Sequence, residues 1–233
     1  MKIKPKKRNN LNFLFWFSLI TQTKIMHKLF LLASILLLIG CNSEQVDNSE
    51  TTSSLPFIGR TIVEENGDST HHQVGEFSFI NQNKDTITES YLKGKITIVD
   101  YFFTTCPTIC PAMTSNMVEV QKKWKSNELI QFLSHTVDPE TDTPNKLKRF
   151  ATNFKADTSN WHFVTGNKED LYSLGFHSYM VTADKDDIAP GGFIHSSLFI
   201  LVDQNLHIRG IYDGTKEEEI NKLNNDISIL LDE

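Results

Sequence analysis

The chain has 233 residues, enough for one domain of ordinary size with a leader or for two small domains. Hydrophobic residues at 39% and charged residues at 22% exclude a polytopic membrane protein and a wholly disordered chain; a formal charge of −6 argues against a nucleic-acid binder. Three cysteines (Cys41, Cys106 and Cys110) are too few for a disulfide-built scaffold. The charge is unevenly spread. The first 40 residues hold seven basic side chains and no acidic one, which leaves 16 basic against 29 acidic residues downstream, a net −13.

Residues 29–39 are apolar apart from Ser34, follow His27-Lys28, and end in Leu38-Ile39-Gly40-Cys41. A run of this length is too short to span a bilayer and suits a signal-peptide core. The ending resembles a bacterial lipobox, in which Cys41 takes the lipid and becomes the mature N-terminus. Residues 1–40 are therefore read as a leader. Signal layout is complete from Met26 onward, which points to Met26 as the start; a second hydrophobic segment over 11–20 is the alternative. Residues 41–54, rich in Ser, Thr, Asn and Glu, read as a flexible tether, with a single domain over 55–233 standing outside the cytoplasmic membrane.

Within that domain Phe77-Ser78-Phe79-Ile80 alternates and is followed by a polar turn and Thr86-Ile87-Thr88, which predicts an N-terminal β-hairpin. Residues 96–103 form a β-branched and aromatic run, the expected central strand. Met113, Met117, Val120 and Trp124 recur at helical spacing and are read as a buried stripe, not as copper ligands. Residues 129–137 predict the next strand. Thr143-Pro144 predicts an N-cap and first helical position, with Leu147, Phe150, Ala151 and Phe154 on one face. A strand over 161–164 and a short helix over 167–174 follow. Residues 195–202 and 207–212 read as a hairpin across Asp203-Gln204-Asn205. A last helix opens at Thr215-Lys216-Glu217-Glu218, a capping-box pattern, and buries Ile220, Leu223, Ile227 and Leu230. This order predicts an α/β domain with a mixed sheet covered on both faces, and a thioredoxin-like placement of the cysteines between strand and helix.

Thr104-Thr105-Cys106-Pro107-Thr108-Ile109-Cys110-Pro111 is the most informative stretch. On helical geometry, cysteines at i and i+4 share a face, near enough to form a disulfide or to turn together toward one soft metal. A helix N-terminus is expected to lower their pKa. Zinc would want four ligands, and no further cysteine supplies them; copper(I) accepts two or three soft ligands. Asp100 is unusual in an apolar strand and either tunes the cysteine site from beneath or is simply paired; the sequence does not decide between the two.

The segment from Phe103 to Pro111 resembles the signature of the Sco/SenC family, thioredoxin-fold proteins for copper delivery to cytochrome c oxidase. Thr136-Val-Asp-Pro-Glu-Thr-Asp-Thr-Pro144 and Gly192-Phe-Ile-His-Ser-Ser-Leu-Phe-Ile-Leu-Val-Asp203 are similar to its second and third blocks, and the likeness runs from about Pro56 to the end. The resemblance implies copper, as Cu(I) or Cu(II), held by Cys106, Cys110 and His195. It also implies an oxidase copper-site subunit or another copper acceptor as partner, and a thioredoxin-like reductant. Bacterial members are commonly membrane-tethered, in keeping with Cys41. The alternative is a thiol–disulfide oxidoreductase in which Cys106 and Cys110 are the redox pair; a peroxidase is a weak third. Among the other histidines, His135 is a candidate auxiliary ligand, and His71-His72 is read as part of a solvated loop. His162, His177 and His207 have no partner pattern. Asp138, Glu140 and Asp142, interleaved with prolines, are read as a shaped loop entering a helix rather than as catalytic carboxylates.

Overall fold

The computed structural model describes residues 54–185 and 193–233; the leader, Cys41 and the tether up to residue 53 lie outside the described residues, as do residues 186–192. Two strands are buried along their whole length, β5 (Ile96–Phe102) and β6 (Ile130–Thr136). Strands closed to water on both sides need cover on both faces of the sheet. They pair in parallel, Asp100 opposite Ser134 and Tyr101 opposite His135.

Around this pair the chain builds a seven-stranded sheet. In chain order the other strands are β1 (Thr61–Val63), β2 (Ser69–His71), β3 (Ser78–Asn81), β4 (Thr86–Thr88), β7 (Trp161–Thr165), β8 (Ala183–Lys185), β9 (Phe193–His195), β10 (Leu198–Val202) and β11 (Ile208–Asp213). The sheet order is β11-β10-β5-β6-β7-β3-β4, with β1-β2 and β8-β9 as separate two-stranded ribbons. β5, β6 and β7 run parallel, and both edges are antiparallel hairpins. The helices are α1 (Cys110–Lys123), α2 (Pro144–Phe154), α3 (Lys168–His177) and α4 (Glu217–Asp232).

Side chains alternate along β5, and each face has its own cover. Phe102 meets Phe150 of α2 at 5.0 Å between ring centroids. On the same side Trp124, just past α1, donates to Asn224 of α4, and Tyr212 donates to Asp226 of α4. Tyr101 points the other way and donates to the Leu171 carbonyl of α3. Gly175 permits that contact, since a Cβ there would come within 3.2 Å of the Tyr101 ring. The expected α/β class is what is observed: a thioredoxin-like mixed sheet flanked by helices, with the β3–β4 hairpin added before β5. Met113 and Met117 are fully buried on α1, as core residues are.

Three local expectations need correction. Residues 195–202 are not one strand: β9 stops at His195, Ser196-Ser197 breaks the run, and β10 begins at Leu198. Thr215 does not cap α4. Its hydroxyl and N–H are both spent on Asp213 Oδ1, Lys216 takes the cap position, and these bonds hold the Asp213 carboxyl down at about 2. His71-His72 is not a solvated loop. His71 closes β2 and stacks on Phe57 at 3.9 Å, while His72 Nε2 lies 2.8 Å from the Ser178 carbonyl oxygen.

Candidate functional site

The chain leaves β5 at its carboxyl end and turns at once. Phe103 is buried, and its carbonyl accepts the Cys106 N–H at 3.2 Å, closing a turn over Thr104-Thr105. Cys106 is 8% exposed in the loop, whereas Cys110 is 1% exposed as the first residue of α1, with Pro111 behind it in the first turn. The i, i+4 spacing therefore does not place both cysteines on one helix face, because only Cys110 is helical. The loop itself brings them together: the two thiols lie within interaction range of each other, Cys106 Sγ is also 3.7 Å from the Thr108 hydroxyl, and no disulfide joins them.

Burial overrides the expected effect of the helix N-terminus on Cys110. Loss of hydration pushes its thiol well up, a backbone hydrogen bond from Phe103 opposes this, and contact with Cys106 and the charge of Asp100 push it further up. Asp100 lies beneath the pair, 1% exposed. It accepts the Ser134 hydroxyl at 2.5 Å, and Ser134 in turn accepts the Trp161 indole N–H at 2.9 Å. The carboxylate singled out in the apolar strand is thus built into the floor of the cysteine site.

His195 arrives from the other side of β5. β10 runs antiparallel to β5 with Ile200 opposite Val99, which carries the chain entering β10 past the carboxyl end of β5, where the cysteines are. Just upstream, Phe193 packs on Phe103 at 5.2 Å. The backbone of His195 ends β9 opposite Ala183; its side chain lies outside what the structure describes. Among the described residues no three His, Cys, Asp or Glu side chains converge to hold a metal.

His135 is not an auxiliary ligand. It follows Ser134 on β6 and so faces away from Asp100, stacked on Tyr101 at 4.9 Å and ringed by Phe77, Phe79 and Tyr179. It is fully buried, and neither ring nitrogen has a hydrogen-bond partner. Burial lowers its pKa from 6.5 to about 3. The unfolded chain therefore binds a proton that the folded chain refuses. Stability from this site is complete above about pH 6.5 and drains away as pH falls toward 3, by about 1.4 kcal/mol per unit. His135→Phe is expected to flatten that acid limb in urea titrations at pH 7 and 4.5. An unchanged limb would show that His135 is not its source.

Two features were invisible in the sequence. Asp142, read as a loop residue, is fully buried and accepts hydrogen bonds from Thr104 and Thr136. Arg209, unmarked by any pattern, is buried among the two ends of the domain. A cleft of about 750 Å³ lined by Lys93, Lys95, Lys122, Lys125 and Lys155 lies near the starts of β5 and β6, at the end of the sheet remote from the cysteines.

A thioredoxin-like domain that carries two cysteines in the loop between its central strand and first helix is the class that the fold and the site define. The sequence profile of SCO1/SenC matches residues 65–230, and the chain belongs to that family. Among solved structures it is similar to a SCO1/SenC family lipoprotein from Bacillus anthracis, 36% identical with a TM-score of 0.63, covering 69% of this chain and 95% of that one. It is also similar to BsSco, reported as having a disulfide switch and as a member of the Sco family of cytochrome c oxidase assembly proteins. There the identity is 32% and the TM-score 0.61, over 68% of this chain and 93% of that one. Arabidopsis thaliana ScoI with copper bound is 26% identical, with a TM-score of 0.58 over 68% of this chain and 97% of the other.

Proposed function

We propose that this protein binds copper through Cys106, Cys110 and His195 and hands it to a copper site of a respiratory oxidase during its assembly. The observation that carries the reading is the meeting of two thiols in one loop, with the strand that leads to His195 packed beside it through Phe193 and Phe103. Two sulfurs and an imidazole satisfy copper(I) and also suit copper(II). The copper-bound Arabidopsis relative and the oxidase-assembly role given for BsSco support the cargo and its destination.

Transfer is a ligand exchange that moves no electrons. An acceptor thiolate approaches from the side of Cys106, the more exposed of the two cysteines, because Cys110 lies deeper. Each new sulfur–copper bond to the acceptor replaces one to this protein, and each released sulfur regains a proton. Lipid on Cys41 would hold the domain outside the cytoplasmic membrane on the tether of residues 42–54. Supporting this, the B. anthracis relative is described as a lipoprotein.

The second reading is reduction of partner disulfides, favoured by the contact between the two thiols and by the disulfide switch of BsSco. Cys106 as thiolate would attack the partner disulfide to give a mixed disulfide, and Cys110 would displace the partner. The partner leaves as a dithiol with two electrons gained, this pair ends as a disulfide, and a thioredoxin-like dithiol restores it.

The test loads the reduced, detergent-solubilised full chain with copper(I) against a competing chelator. One copper per chain is expected, held at least about tenfold less tightly in His195→Ala, since even changes outside the ligand shell cost about 10–100-fold. Unchanged affinity in the variant, together with fast reduction of disulfides, would overturn copper delivery in favour of the second reading.

A further inference from the structure

We propose that Asp142 is a positioning residue for the cysteine pair: its buried carboxylate clamps the turn that carries Cys106 and so sets where that sulfur stands relative to Cys110. The proposal deepens, and rests on, the reading of Cys106 and Cys110 as the working pair. Both Asp142 oxygens are used. Oδ1 accepts the Thr104 hydroxyl at 2.5 Å; Oδ2 accepts the Thr104 N–H at 3.0 Å and the Thr136 hydroxyl at 2.6 Å. These donors are uncharged, and three of them are what a carboxylate withdrawn from water requires.

The bonds join two segments 38 residues apart in sequence. Thr136 ends β6, and its hydroxyl accepts the Asp138 N–H at 3.0 Å, while the Asp142 N–H donates to the Asp138 carbonyl at 2.8 Å. The loop between β6 and α2 is thus folded around Asp142 from its own side. Thr104, two residues before Cys106, is attached to it from the other. The rest of the cysteine loop is held at Cys106, which is buried and whose N–H donates to the Phe103 carbonyl, and at Ile109, which packs on the core, while Thr105, Pro107 and Thr108 are exposed. Cys110 needs no such clamp, since it is fixed as the first residue of α1. Loosening Asp142 would therefore move one sulfur of the pair and not the other. A disulfide tolerates only a narrow Cβ separation, and metal–ligand distances are narrower still, so both chemistries depend on that placement.

The test compares Asp142→Asn, Thr104→Val and Thr104→Ser in the detergent-solubilised full chain. Asparagine swaps one acceptor for an amide N–H, and valine removes only the Thr104 hydroxyl. Serine keeps both Thr104 bonds. Two quantities are read: the dithiol/disulfide equilibrium against glutathione, and copper(I) affinity against a chelator. Asp142→Asn is expected to shift the equilibrium about tenfold toward dithiol, about 30 mV, and to weaken copper about 10–100-fold. Thr104→Val should move both in the same direction, and Thr104→Ser should restore them. Asp226→Asn, which disturbs another buried carboxylate bonded to Tyr212, should lower the unfolding midpoint and move neither quantity. The proposal is overturned if Asp142→Asn behaves like Asp226→Asn, with stability lost and both site quantities unchanged. Should Asp142→Asn fail to fold, the contrast of valine and serine at 104 decides the matter. If the wild-type chain holds no copper, copper delivery fails while the glutathione equilibrium still tests the clamp.

Discussion

Serine in place of Cys106 or Cys110 is expected to weaken copper(I) binding by more than about 100-fold, beyond the 10–100-fold that changes outside a ligand shell bring. Each substitution removes one of two soft donors, and an alcohol oxygen is a poor replacement for copper(I). The two variants should differ in their thiol chemistry. Cys106 is 8% exposed and Cys110 is 1% exposed, so an incoming sulfur meets Cys106 first. In Cys110→Ser the outer thiol can still attack a partner disulfide but has no neighbour to displace the partner, and a mixed disulfide should accumulate on non-reducing gels. In Cys106→Ser the remaining thiol is buried, with its proton held firmly by loss of hydration, and little mixed disulfide should form. Equal trapping by both variants would contradict the assignment of Cys106 as the outer member of the pair.

Arg209→Ala is expected to cost about 3–5 kcal/mol of stability, the range for removing one partner of a buried ion pair. The guanidinium is 4% exposed and gathers distant parts of the chain. Nη1 lies 3.0 Å from Asp203 Oδ2 and 2.8 Å from Glu233 Oε2, while Nη2 donates to the Leu55 carbonyl at 2.6 Å and to Glu233 Oε1 at 3.0 Å. Phe57 closes the site with its ring 4.5 Å from the guanidinium carbon. Alanine would take the cation from Asp203 Oδ2, leaving that buried carboxylate the backbone N–H groups of Asn205 and His207 on Oδ1, and would release both the entry of the chain at Leu55 and its last residue. Arg209→Lys keeps the charge but not the fork that reaches Asp203, Glu233 and Leu55 together, and should recover only part of the loss. Urea unfolding of the three proteins checks this; a loss below about 1 kcal/mol for alanine would mean that the cluster works as an ordinary surface pair.

What the sequence made legible was periodic or tightly motif-bound. The dense run at 96–103, the Thr143-Pro144 helix start and the apolar stripe of the last helix all mark elements that the structure contains, because burial of one stripe or one strand is written locally. The cysteine loop was readable for the same reason. What escaped was non-local. Asp142 earns its place through bonds to Thr104 and Thr136, and Arg209 through partners more than 150 residues upstream, and no spacing rule connects such positions. His135 looked like a rim residue because strand register was unknown; one step along β6 turned it to the other face. The β1–β2 ribbon did have a signal, since Asn66-Gly67 stands between its strands and is a strong turn pair. Thr215 shows the opposite failure: a helix-start pattern whose first residue is claimed by the preceding Asp213 turn.

X-ray absorption at the copper edge, on the copper(I)-loaded full chain and on its His195→Ala variant, tests the ligand set most directly. Two sulfurs and one imidazole nitrogen are expected around a single copper in the wild-type chain, with the nitrogen lost and both sulfurs kept in the variant. A first shell of nitrogen and oxygen only, or a wild-type spectrum unchanged by the loss of His195, would contradict copper carriage by Cys106, Cys110 and His195.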